Sequence, residues 1–371
     1  MPRSHPKSLE RHARRLIGRV TPENAGKVVS SDIYWTVPFL DLFLEKCDAV
    51  AFEQPAEAYK LAFHAPSLAH WIRVGDEPGE YVDEREKRSY RARANAIFGS
   101  TCFRIGEVGE AQVSYERAKA LLEEGPADRE AQADFLMRWG NFKTRTKPQG
   151  DAEALEHLNG ALEILTETGS PAISYGLVLR GTWHWSSNLA REAAADYALA
   201  LSLATQYRGS SIASRASIAA LGNLAVLLAE NELLSMDHDR ALALIAQARK
   251  RLSSQRLSAV KAKLFWIEGT LNRKLHFEPA ARRLLEKARA AFRELQMPEE
   301  FILVSLEIGL LLQTERDENG LHSLRRNTIE TLPSLSNDPD LISLGESWPA
   351  EATESSLAAF HQAAASSLLA A

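Results

Sequence analysis

The stretch LRGTWHWSSNLAREAAADYALAL, residues 179–201, carries the pattern that decides the fold. Gly181 lies inside an apolar segment twelve residues before Ala193, and Tyr197 and Ala200 follow at spacings of four and three. These spacings place Ala193, Tyr197 and Ala200 on one face of a helix. The stretch therefore predicts a first helix with a glycine (helix A), a turn, and a second helix with a small–large–small packing face (helix B).

The glycine recurs along the chain at near-regular intervals. The first four occurrences are 41 residues apart, and the last two follow after 47 and 40 residues. A glycine inside a helix costs about 1 kcal/mol relative to alanine, so the series needs a common cause. Close approach of a neighbouring helix is the simplest cause, because only glycine lacks a Cβ atom. The six positions are Gly99, Gly140, Gly181, Gly222, Gly269 and Gly309.

The best-defined unit combines Gly99 with Ala111, Tyr115 and Ala118. This set resembles the signature of the tetratricopeptide repeat family, whose units are helix–turn–helix pairs. The resemblance covers roughly residues 37–330 and implies an all-α fold, a right-handed superhelical solenoid of about seven antiparallel helix pairs. The spacing of 41 residues exceeds the 34 that are usual for this repeat. Longer versions occur in bacterial regulators and signalling adaptors, so the resemblance implies a bacterial regulatory role.

The sequence divides into three predicted regions. Residues 1–36 form a basic helical element, residues 37–330 form the array, and residues 331–371 form a polar linker and a C-terminal helix. We expect the C-terminal helix to cap the array or to dock elsewhere. The basic element carries four arginines around an apolar stripe: Arg11, Arg14, Arg15 and Arg19.

The composition excludes several classes of protein. Apolar residues make up 45% and charged residues 25% of the chain, which is typical of a globular protein with a large core. The net charge of −5 gives no general attraction for nucleic acid. The two cysteines, Cys47 and Cys102, are far apart, which argues against a disulfide framework and favours the cytoplasm. We find no run of about 18 apolar residues and therefore expect no membrane-spanning helix.

The motifs of common catalytic sites are absent from the sequence. It contains no nucleotide-binding glycine loop, no nucleophile elbow and no zinc-protease motif. His64 and His70 are six residues apart, which turns them to different faces of a helix. The sequence therefore predicts a protein that is not an enzyme and that carries no cofactor or metal.

The resemblance also implies a candidate binding surface. In this family, helix A residues that flank the repeat glycine line a concave groove. Carried over to this chain, these positions are basic, amide-bearing and aromatic, with almost no acid apart from Asp134. Arginine and lysine bind carboxylates and large aromatic side chains anchor partners, so we expect a protein or peptide partner, with an acidic segment as the candidate. The predicted groove residues are Arg93, Phe103, Arg104, Asn141, Arg145, Tyr175, Trp185, Asn223, Lys263, Trp266 and Arg273.

Several interpretations of these residues stay open at the level of sequence. The leading one is a non-catalytic interaction scaffold or adaptor. One alternative is a sensor of a peptide or small ligand that controls a transcription or defence partner, and another is nucleic-acid binding through the arginine-rich N-terminus. The groove residues are equally compatible with an unused, solvated face. Trp185 is either an exposed anchor or a core residue, and His184 is expected to pack between helices.

Overall fold

The computed structural model describes residues 7–73, 82–125, 128–146, 151–230, 237–252, 258–336 and 342–343. Most of the predicted C-terminal region lies outside these ranges. The described helices are, in chain order, α1 (Lys7–Ile17), α2 (Ala25–Val29), α3 (Val37–Glu53), α4 (Pro55–Ala62), α5 (Ala65–Trp71), α6 (Glu84–Arg104), α7 (Val108–Glu123), α8 (Arg129–Thr146), α9 (Ala152–Thr168), α10 (Ile173–Ser186), α11 (Ala190–Gln206), α12 (Ser211–Glu230), α13 (His238–Arg251), α14 (Ala259–Lys274), α15 (Glu278–Glu294), α16 (Pro298–Thr314) and α17 (Glu318–Leu335).

Consecutive helices pack against each other as pairs. The pairs α6–α7, α10–α11, α12–α13, α14–α15 and α16–α17 each form an extensive contact. Helix α8 packs on α9 through Gly140, and α3 packs on α4. The described residues thus contain seven helix pairs and no β-strand, which confirms the predicted all-α array of helix pairs.

The chain divides into two compact units, residues 1–139 and 140–371, and the division falls within α8. In the first unit, Phe39, Leu40 and Phe43 of α3 are fully buried. The second unit has two hydrophobic clusters. One joins α9 to α14 around Tyr197, and the other joins α14 to α17 around Phe292. We describe each unit by itself.

The repeat glycines lie where two helices touch. A Cβ atom on Gly181 would come within 2.7 Å of the Tyr197 ring, and one on Gly269 within 2.8 Å of Leu285. Both distances are shorter than real Cβ contacts allow. Gly222 differs, because its nearest neighbour is Ile267 of α14, at 3.3 Å, and not a residue of its own helix B. Close packing within the pair therefore explains Gly181 and Gly269, as the sequence predicts.

The turn from helix A to helix B has one geometry in four of the pairs. Seven positions after the repeat glycine, Gly106, Asn188, His276 and Arg316 adopt a left-handed backbone, with φ between 57° and 87°. The next residue then donates its N–H to the carbonyl five residues earlier, as Leu189 does to His184 at 2.8 Å. This arrangement is the Schellman motif, which ends a helix and reverses the chain.

The pairs do not begin at constant intervals. The helices A from α6 onward begin at residues 84, 129, 173, 211, 259 and 298. The glycines keep their spacing while the helices start earlier or later, because loops and helix lengths differ between pairs. A constant 41-residue period therefore stays a prediction.

Lys46 occupies the place that glycine holds in the other helices A, in the first pair. Its Nζ donates hydrogen bonds to the carbonyls of Ile17, at 3.3 Å, and Val20, at 2.5 Å, just after α1. The cation thereby satisfies carbonyl groups at the end of α1. The second helix of this pair is divided into α4 and α5 at residues 63–64. This first pair differs from the others, in agreement with its expected place at the end of the array.

Helix α12 corrects one expectation from the sequence. Its stretch Ser211–Leu228 has a mean hydropathy of 1.5, which is long and apolar enough to cross a membrane by composition. However, 61% of this stretch is buried inside the second unit, where α12 packs against α10, α11 and α13. A core helix of a globular protein has the same composition, because it is covered on most of its faces.

Candidate functional site

Arg145, near the end of α8, reaches across the second unit to Glu299 in the first turn of α16. Its Nη2 lies 3.2 Å and 3.4 Å from the two carboxylate oxygens of Glu299, although 154 residues separate them in the chain. The charge of Glu299 raises the pKa of Arg145, against the opposing effect of burial. We call this pair the cross-groove ion pair, because it joins the first and the last helix A of this unit.

Glu300, the next residue, extends the same cluster. Its carboxylate is buried and accepts a hydrogen bond from Lys263 Nζ of α14 at 3.0 Å. Burial alone would raise the pKa of Glu300, but the charges of Lys263 and Arg145 outweigh it and hold this pKa below its usual value. Tyr175 of α10 also interacts electrostatically with Arg145. Three predicted groove residues, Arg145, Tyr175 and Lys263, therefore converge on the start of α16.

Helix α16 supplies acids that the predicted groove set does not contain. Arg273 Nε donates to Glu307 Oε2 at 2.9 Å, and both side chains are largely buried. Together, Glu299, Glu300 and Glu307 pair with three of the predicted groove cations, so the expectation of a groove almost without acid was wrong. The signal was present in the sequence, because PEEF and SLEIG place glutamates in an otherwise apolar helix.

The predicted aromatic residues of this unit are half-buried. Tyr175 and Trp185 pack against the hydrophobic cluster of α9–α14. Trp266 lies edge-on to Phe292 with ring centroids 6.0 Å apart, so part of its surface covers the second cluster. Trp185 thus combines the two alternatives: one side contributes to the core and the rest stays accessible.

The two predicted amides have different surroundings. Asn223 donates to Thr182 Oγ1 at 3.4 Å, which links α12 to α10. Asn141 is half-buried, and its side chain has no hydrogen bond to any residue that the structure describes. Asn141 is therefore the predicted amide that keeps its hydrogen-bonding capacity for a ligand.

The candidates of the first unit are largely engaged in internal contacts. Arg93 Nη1 pairs with Asp41 of α3 at 3.0 Å, and Tyr90 donates to the same carboxylate at 3.3 Å. Although burial lowers the pKa of Arg93, the neighbouring carboxylates raise it above its usual value. Phe103 is only 7% exposed and belongs to the core, so we withdraw it as an anchor. Arg104 is half-buried.

Asp134, the acid noted in the sequence, belongs to a second ionic group of this unit. Arg138 donates to Asp134 at 2.9 Å and to Asp48 of α3 at 2.6 Å. Arg138 was not among the predicted residues, because it lies outside the positions that the family uses for its groove. This group ties α3 to α8, and its charges compensate one another.

Residues 179–201, which decide the fold, form a polar network between α10 and α11. Arg180 makes two hydrogen bonds to the buried Asp196, at 2.6 Å and 2.9 Å. Nδ1 of His184 lies 2.9 Å from the same carboxylate, and the His184 ring packs edge-on against Trp183. His184 therefore packs between helices, as expected. A guanidinium and an imidazole on one carboxylate satisfy a buried charge, which is a structural role.

Features for the alternative functions are also visible. The four arginines around α1 are exposed, and none makes an ion pair with the residues that the structure describes. Nucleic-acid binding there stays a prediction. In the described part of the chain, no group of three or more histidine, cysteine or acidic side chains is arranged to hold a metal ion.

The fold is similar to those of several solved structures. A Rap protein in complex with competence and sporulation factor aligns over 81% of this chain and 78% of its own, with 13% identity and a TM-score of 0.59. NprR in complex with its cognate peptide NprX aligns over 95% of this chain and 93% of its own, with 12% identity and a TM-score of 0.58. No protein-family model and no curated protein sequence matches this chain. The chain therefore has the tetratricopeptide-type helical-repeat fold of these structures.

Proposed function

We propose that this protein is a non-catalytic scaffold that binds an acidic peptide segment, either free or as part of a partner protein. The site is the groove side of α8, α10, α14 and α16 in the second unit. The convergence of Arg145, Tyr175 and Lys263 carries this proposal, because it places two cations and an aromatic ring together. The shared fold adds support, since NprR was solved with a peptide and the Rap protein with competence and sporulation factor.

Glu299 gives the proposed site a built-in competitor. Its carboxylate occupies Arg145 in the absence of a ligand, and neither side chain is fully buried. An ion pair with partial solvent access contributes roughly 0–1 kcal/mol, so a ligand carboxylate with better geometry can replace it. A peptide carboxylate would then bind Arg145, while Trp185 and Trp266 offer apolar contact.

The test uses an array of fluorescent peptides that contain Asp or Glu, each with an Asn or Gln twin. We expect the wild type to bind some acidic peptides and to lose their twins. Arg145→Gln should weaken this binding at least about tenfold, which corresponds to 1.4 kcal/mol. The matched control is Arg191→Gln, which removes an exposed arginine of α11 without an ion pair among the described residues. Equal binding by both variants, or no preference for acids over their twins, would contradict the proposal.

The sensor alternative has its own supporting observation, the cross-groove ion pair. A ligand that replaces Glu299 would release α16 from α8 and would change the local stability of both helices. Hydrogen exchange of α16 should then become faster when a peptide from the array binds. If binding leaves the exchange of α16 unchanged, the scaffold function remains and the sensor function is excluded.

A further inference from the structure

A cavity of about 430 Å³ lies between α15, α16 and α17. None of its lining residues belongs to the predicted groove set. Its volume is within the range of about 300–1,000 Å³ that is usual for small-ligand sites. The polar side chains that line it come from the two outer helices: Arg282, Glu286, Arg289 and Arg293 from α15, and Ser323 and Asn327 from α17.

Arg289 is held rigidly at this cavity by neutral partners. Its Nε donates to Ser305 Oγ at 2.7 Å, and its Nη2 donates to Asn327 Oδ1 at 2.9 Å and to Thr328 Oγ1 at 3.1 Å. The guanidinium carbon also lies 4.5 Å from the centre of the Phe301 ring. The remaining nitrogen, Nη1, has no hydrogen bond to the described residues. The guanidinium is thus fixed in place with one donor group unused.

The charge at the cavity is not balanced. Arg282 pairs with Glu286 at 3.3 Å and with Glu315 at 3.1 Å, so its charge is compensated. Arg289 and Arg293 make no ion pair with any residue in the described ranges. Burial and the positive charge of Arg293 lower the pKa of Arg289 to about 10, and the charge of Glu286 only partly opposes them. Two arginines therefore lie at one cavity without an ion-pair partner among the described residues.

We propose that this cavity binds a small ligand through a doubly charged oxyanion group, either a phosphate or a pair of carboxylates. Nη1 of Arg289 and the guanidinium of Arg293 supply donors and two positive charges. Ser323 and Asn327 add neutral donors from the facing helix. Arginine is well suited to this role, because its planar fork matches the oxygen geometry of phosphates and carboxylates.

A purely structural role for Arg289 leads to a different expectation. Stacking on Phe301 and hydrogen bonds to three neutral acceptors would cross-link α15, α16 and α17 without any ligand. In that case Arg293, which makes none of these contacts, would have no part in anion binding. Arg293 is therefore the residue that separates the two interpretations. Because it is exposed, its substitution should leave the folded state intact.

The experiment measures the melting temperature of the full chain during titration with inorganic phosphate or succinate. Ionic strength is kept constant with sodium chloride, so that general screening does not change. A ligand that binds the folded state raises the melting temperature with its concentration. We expect this rise in the wild type and in Arg283→Gln, which removes an exposed arginine of α15 that does not line the cavity. Arg293→Gln should need about tenfold more anion for the same rise.

Each outcome supports or overturns the proposal. A response to phosphate alone assigns a phosphate ligand, a response to succinate alone assigns a dicarboxylate, and either supports the site. No response to both anions, or an equal response in Arg293→Gln and Arg283→Gln, overturns it. Arg289→Lys keeps the charge but loses the fork, and should also weaken the response. Arg145→Gln should leave the response unchanged, which separates this site from the proposed groove.

Discussion

At Gly181 the packing of α10 on α11 leaves no room for a side chain. The atoms nearest to an added methyl group would belong to the fully buried Tyr197, whose hydroxyl lies 3.3 Å from Thr182 Oγ1. We expect Gly181→Ala to lower the free energy of unfolding by about 1–3 kcal/mol through overpacking. Urea denaturation measures this change. Gly222→Ala is the control, because its closest neighbour is the flexible end of Ile267 at 3.3 Å; an equal loss in both variants would contradict the explanation.

His276 is a second residue whose backbone decides its effect. It has a φ of 59° at the turn of the α14–α15 pair, and its side chain is 85% exposed. A left-handed backbone costs a non-glycine residue about 1–2 kcal/mol, and glycine avoids this cost. Part of the gain is lost again, since glycine makes the unfolded chain more flexible. We therefore expect His276→Gly to raise the melting temperature modestly, whereas Gly106→Ala at the equivalent turn should lower it.

Among the elements, α16 combines a nearly complete burial with two buried glutamates. The pKa of Glu300 is depressed in the folded state, so its ionised form stabilises the fold above its unfolded pKa of about 4.3. This contribution is lost as the pH falls through the lower, folded pKa. Wild type should therefore lose its advantage over Glu300→Gln in urea melts as the pH decreases below about 4. Glu294→Gln, an exposed change on α15, should leave the pH profile unaltered.

At the scale of the whole molecule, the cross-groove ion pair couples distant parts of the second unit. Glu299→Gln should change stability by no more than about 1 kcal/mol, because both side chains of the pair keep solvent access. It should tighten the binding of acidic peptides, since it removes the competitor for Arg145. Peptide affinity at constant salt measures this effect. Weaker binding by Glu299→Gln would mean that Glu299 is part of the binding surface and not a competitor.

The sequence by itself determined the helix pairs, the repeat glycines and their close-packed neighbours. These features depend on spacings of three, four and twelve residues, which a helix and one short turn convert directly into contacts. It could not identify the left-handed residues at the turns, because asparagine, histidine and arginine carry no strong signal for that backbone. The exposed positions of the groove were also chosen by family position alone, and Phe103 shows that this choice fails where a helix is covered on several sides.

The tertiary structure alone decided which charges meet. Arg145 and Glu299 are 154 residues apart, so their pairing depends on the summed rotation of all the helix pairs between them. Small differences in each pair accumulate, and no local spacing predicts the result. The same reason applies to the cavity of Arg289, where the packing of α15, α16 and α17 brings two arginines together away from the acids that could pair with them. The sequence thus determined the elements and their nearest neighbours, and the packing over many elements determined where charge is compensated and where it is left for a ligand.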